Sequence, residues 1–192
     1  LDSIKNKGGK RIILQVDNEN TDAINLYEQI GFQTFVVRTI WKGSNQKYDP
    51  NITFKSPVII RRASYVDWRL EHDLLQKYSP EGITWTAPLQ IDHLRPSLWK
   101  VLNNVIVGNQ EHRWIITDSD KEIGWLYISS NITNIVHIRW VIAPEYDFDQ
   151  TILNYALNRL EHAQSEIIIE HVDGDVNEVL IQNSFRPTRT LR

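Results

Sequence analysis

The chain lacks both cysteine and methionine. Without cysteine it has no disulfide framework, no thiolate zinc site and no cysteine nucleophile. With no methionine, not even an initiator, the expectation is a chain that opens after its true start. No apolar run approaches the roughly 18 residues of a membrane span, and no charged-then-apolar leader is visible at the N-terminus. Positive charge is not in excess either: 21 Lys and Arg oppose 24 Asp and Glu, for a net charge of -3. That removes the basic footprint of a general nucleic-acid binder. Nucleic acid and membrane are therefore not expected partners, and the cytoplasm is the default compartment. Metal-ligand spacing is missing too. Glu71–His72–Asp73 are consecutive on a helical pattern and face different ways, so they read as a solvated helix face, and no HExxH spacing exists. Lys7–Gly8–Gly9–Lys10 lacks the spacing of a phosphate loop and reads as a turn before a strand.

What is present is globular material, with 41% hydrophobic and 23% charged residues, a composition that argues against disorder. At 192 residues the length lies between one domain and two. Residues 11–16 (RIILQV) read as a strand, and Asp17–Thr21 as turn and cap. Ala23, Ile24, Tyr27 and Ile30 recur at helical spacing up to Gly31, which stands as a C-cap. Residues 32–41 alternate as a second strand. Residues 43–56 have linker composition and mark the expected domain boundary. Beyond them the pattern predicts a strand at 58–63, helices at 66–78 and 91–104, and strands at 112–117, 122–129 and 135–142. A helix at 149–163, a strand at 166–172, a helix at 175–184 and a final strand from Pro187 close the order. This alternation predicts an α/β protein with a mixed, α+β-like sheet.

A shift of 153 residues lays the chain on itself. Asp22 falls on Asp175, Gln29 on Gln182 and Phe32 on Phe185, while the strand-loop-helix pattern matches throughout. Residues 1–42 then read as the closing segment of a first domain and 57–192 as a nearly whole second copy.

The spacing Val16, Asn18, Asn20, Ala23–Ile24, Leu26–Tyr27, Gly31–Phe32 resembles the closing signature of the GNAT superfamily, the acyl-CoA-dependent N-acyltransferases. The resemblance implies the GNAT fold, with one near-complete copy preceded by the C-terminal part of another. It also implies acetyl-CoA as co-substrate and a small-molecule or peptide amine as acceptor. Tyr27 would be the catalytic acid that protonates the departing thiolate, and Asn20 would bind the pantetheine arm. The residues also allow plainer roles. Tyr27 shares a face with Ala23, Ile24 and Ile30, as a core tyrosine does, and Asn20 suits a helix cap.

The family's glycine-rich pyrophosphate turn corresponds in the second copy to Ala143–Thr151, where the glycines are gone and Asp147 and Asp149 stand in their place. Leu180 replaces the tyrosine and Ser184 the glycine. The second domain is therefore expected to be degenerate. His137 and Arg139 share a strand face and Glu170 closes the next strand; the family's acceptor cleft borders that region, though a half-exposed sheet face would look the same. Of seven tryptophans, most are expected in the core, while Trp85 sits in the loop-rich stretch where relatives meet their acceptors. Two functions stay open: an N-acetyltransferase, of which this chain is part, or a non-catalytic GNAT-like module for ligand binding, cleft shaping or homodimerisation.

Overall fold

Strand-forming residues concentrate in the middle of the chain, and there the sheet is longest. The computed structural model describes residues 12–44, 58–79, 94–95, 97, 99, 106–133, 135–160, 166–172 and 174–192. In chain order they form α1 (Thr21–Gln29), β1 (Arg38–Ser44), β2 (Ile59–Arg62), α2 (Trp68–Tyr78), β3 (Gln110–Asp118) and β4 (Lys121–Ser130). β5 (Ile135–Ile142), α3 (Asp149–Asn158), β6 (Glu166–Val172), α4 (Val176–Gln182) and β7 (Arg186–Leu191) follow. The strands make one mixed sheet in the order β2-β3-β4-β5-β6-β1-β7. Among the described residues only β5 and β6 run parallel, as the intervening helix α3 allows. No described helix is long and apolar enough to cross a membrane.

Alternation along the strands sends side chains to two cores. Val136, Ile138 and Trp140 of β5 join Ile167 and Ile169 of β6 on one face, covered by Ile152, Leu153 and Ala156 of α3 and Leu180 of α4. On the other face Ile115, Trp125 and Tyr127 meet Leu74 and Leu75 of α2. β4 lies between both layers and is buried without interruption from Ile123 to Tyr127, as a strand covered on both faces must be. α2 also turns Glu71 inward. Its carboxylate is 0% exposed and accepts from Arg113 Nη1 at 2.8 Å and Trp125 Nε1 at 3.0 Å. The expected solvated face is thus corrected at this residue: two donors make burial of the carboxylate tolerable. Asp73 remains exposed.

The N-terminal region departs most from expectation. Residues 12–16 form no ladder among the described residues; one isolated bridge joins Asp17 to Leu191. In 32–41 only the end is strand, and β1 continues through Gly43 and Ser44, two residues into the expected linker. Moreover, β1 stands between β6 and β7, so the strand assigned to the first segment lies inside the sheet of the second. Local composition cannot show this, because a ladder depends on which neighbour is in reach. Most of the predicted helix at 91–104, most of the linker and Trp85 lie outside the described residues.

Candidate functional site

Helix α1 is closed at both ends by its own sequence. Asn20 Oδ1 accepts from the Ala23 amide at 3.1 Å, the bond an N-cap makes. At the other end Gly31 adopts φ +95°, and the amides of Gly31 and Phe32 donate to Glu28 and Tyr27 carbonyls at 3.0 Å each. This is a Schellman closure, whose left-handed residue suits glycine. The cap uses the carbonyl of Asn20 and leaves its amide group as a donor. Tyr27 is half-buried, stacks edge-on to Phe32 with centroids 5.9 Å apart, and lines a cleft of about 500 Å³ between residues 12–16 and 30–36.

A second constellation lies on the sheet. Glu170 of β6 is gripped by two guanidinium groups, Arg38 of β1 at 2.5 Å and Arg139 of β5 at 3.2 Å. All three side chains are at most 15% exposed, and one carboxylate between two cations leaves a positive charge in excess. Burial pushes Arg139 below its usual value, against the pull of Glu170, yet a guanidinium this basic stays charged. Burial, and then Arg139, also lower His137, so its imidazole is neutral at pH 7. Tyr127 on β4 is pushed up to about 12, chiefly by burial, and remains a phenol. The structure thus brings His137, Arg139 and Glu170 together, while Tyr27 and Asn20 belong to α1. Arg38 touches both regions, since it also borders the cleft that Tyr27 lines. Sequence reasoning missed Arg38, because only the insertion of β1 beside β6 brings it there.

No family model and no curated protein matches the sequence. Solved structures do. A functionally unknown conserved protein from Staphylococcus epidermidis aligns at 11% identity and TM-score 0.61, over 93% of this chain and 68% of that one. A GCN5-related N-acetyltransferase from Sphaerobacter thermophilus aligns at 10% identity and TM-score 0.58, over 92% and 56%. Another, from Anabaena variabilis, aligns at 15% and TM-score 0.57, over 99% and 47%. The chain has the GNAT fold. It spans about half the length of those two acetyltransferases.

The residues at the start of α3 do not suit an anion. Asp149 opens α3, and its carboxylate accepts a short hydrogen bond from Trp140 Nε1, so the positive end of this helix already holds a negative charge. Asp147 is exposed beside it, and Phe148 occupies the N-cap. An anion approaching this helix start would meet two carboxylates. Leu180 of α4 is 0% exposed in the core. Among the described residues no cluster of ligating groups could hold a metal.

Proposed function

We propose that this chain belongs to an acetyl-CoA-dependent N-acetyltransferase in which the closing segment at residues 12–44 carries chemistry and residues 58–192 form a GNAT-like module without it. One contrast supports this reading. The capped helix α1 presents Tyr27 to a cleft, whereas its counterpart α4 presents buried Leu180. In the transfer, the amine lone pair attacks the acyl carbon and a C–N bond forms. The C–S bond breaks, its electron pair stays on sulfur, and the thiolate takes the Tyr27 proton. The proton shed by the amine returns to the tyrosinate through water. Such a proton donor contributes about 100- to 10,000-fold. Asn20 would meet the pantetheine arm with its amide.

The polar cluster favours a role for the second module. His137, Arg139, Glu170 and Arg38 are intact while the pyrophosphate seat is filled. An anionic or carbonyl-bearing part of a small-molecule or peptide amine suits the excess positive charge there, and this module would shape the acceptor cleft or bind a ligand by itself.

Calorimetric titration of acetyl-CoA into the 192-residue chain is expected to give no heat up to millimolar ligand. Tight binding would overturn the reading of Asp147 and Asp149. In an active protein that contains this chain, Tyr27→Phe is expected to lower kcat by about 100-fold with KM for acetyl-CoA nearly unchanged. An unaltered kcat would remove Tyr27 from the chemistry.

A further inference from the structure

The sheet face that carries Trp125 and Tyr127 turns polar toward β5, β6 and β1. Antiparallel register sets Arg139 opposite Tyr127 and His137 opposite Ser129, and directly opposed residues share a face. Ile40 of β1 stands opposite Glu170, so Arg38, two residues away, projects from that same face. Glu170 divides its two oxygens between the arginines. Oε1 meets Arg38 Nη1 at 2.5 Å, and Oε2 accepts from Arg139 Nη2 at 3.2 Å. A guanidinium carries five N–H donors in a planar fork. Among the described residues, Glu170 is the sole acceptor bonded by either side chain.

Both arginines are nearly out of water, with side chains 8% and 15% exposed. Donors withdrawn from water and left without acceptors cost stability, so this pair has capacity for a second carboxylate. The charges around it agree. Glu170 is the one carboxylate that acts on Arg139, and Arg38 opposes it. Glu111 lies further across the sheet, where it acts on the Tyr127 hydroxyl. His137 and Tyr127 flank Arg139 as neutral groups rather than anions. Arg38 also borders the cleft lined by Tyr27, so the arginine pair adjoins the proposed proton donor's cleft.

We infer that Arg139 and Arg38 bind the carboxylate of an amine acceptor, with Glu170 as the resident anion that orients both guanidiniums. The inference names the acceptor class, an amino acid or a peptide with a free C-terminus, and rests on reading this cluster as part of the acceptor cleft. A carboxylate matches the planar fork with two parallel hydrogen bonds, which a neutral amide cannot do. Because Arg38 belongs to β1 and Arg139 to β5, the bound carboxylate ties the two sequence segments together. Binding needs no acyl donor.

The test titrates glycylglycine and its C-terminal amide into the 192-residue chain at pH 7 and constant ionic strength. Arginine side-chain N–H resonances report binding, and the resonance lost in Arg139→Gln assigns the site. Both peptides carry the amine, and only the first carries the carboxylate. Glycylglycine is expected to shift the Arg139 resonance, and the amide to bind about tenfold or more weakly. Arg139→Gln is expected to weaken glycylglycine by about tenfold or more. Arg139→Lys keeps a cation beside Glu170 but loses the fork, so it is expected to weaken binding as well. Glu170→Gln removes the competing anion and is expected to tighten it. Equal binding of the two peptides, or no shift at Arg139, overturns the proposal. So does full affinity in Arg139→Lys, the variant that decides if the other two fail to fold. A folded Glu170→Gln that loses binding as fully as Arg139→Gln also overturns it. No acyl donor enters the titration, so its outcome is separate from that of Tyr27→Phe on transfer.

Discussion

Ser184 sits where the backbone wants glycine. Its φ is +64°, and the amides of Ser184 and Phe185 donate to Ile181 and Leu180 carbonyls at 3.0 and 2.9 Å. This is the same Schellman closure that Gly31 makes at the end of α1. A Cβ in the left-handed region costs about 1–2 kcal/mol, and glycine returns some of that as unfolded-state entropy. Ser184→Gly is therefore expected to stabilise the protein by about 1 kcal/mol. Gly31→Ala is expected to destabilise it by a similar amount: nothing stands within 4 Å of the added Cβ, so strain alone decides. Urea midpoints at constant slope measure both. A loss at both positions would show that the serine hydroxyl, not the backbone, governs the α4 terminus.

At the scale of elements, the join between β2 and α2 depends on one carboxylate. Arg61 Nη1 and Nη2 donate to the two oxygens of Asp67 at 2.9 and 3.1 Å. The amide and hydroxyl of Ser64 donate to Asp67 Oδ2 at 2.7 and 2.8 Å. Arg61 first, then Ser64, hold the Asp67 carboxyl far below its ordinary value of 3.8. A carboxylate depressed in the folded state contributes stability that is complete above its unfolded value and is lost as pH falls toward the folded one. The contribution of this turn is thus expected to be full at neutral pH and to fade below about pH 4. Because 42% of the Arg61 side chain is exposed, salt is expected to weaken the effect. Asp67→Asn removes this share of the acid dependence, so its stability difference from the parent chain should shrink between about pH 5 and pH 2. A constant difference across that range would mean that the turn is held by shape rather than charge.

For the whole molecule, the central elements were legible because their patterns are local. β5 and β6 match the predicted bounds, and α3 and α4 lie within the predicted helices. What was not legible depends on contacts between distant residues. Nothing in Ile12–Val16 or Phe32–Val37 shows that they stay outside the ladders of the described residues, and nothing in Gly43–Ser44 shows that β1 runs through them. Gly43 reads as linker composition, yet a Cβ there would lie 2.7 Å from the ring of Phe185, so the glycine admits an aromatic from the far end of the chain. Of the candidate site, His137, Arg139 and Glu170 were visible on their strands, whereas Arg38 needed the insertion of β1. Trp41, 3% exposed in the main core, completes the tie. The two sequence segments should therefore unfold together. Gly43→Ala forces a buried ring aside and is expected to cost about 1–3 kcal/mol. That loss should move the far-ultraviolet dichroism transition, dominated by residues 58–192, and the exchange of β1 amides by the same amount. If β1 amides exchanged early while the dichroism transition held its midpoint, β1 would be a detachable edge rather than an interior strand of a single cooperative sheet.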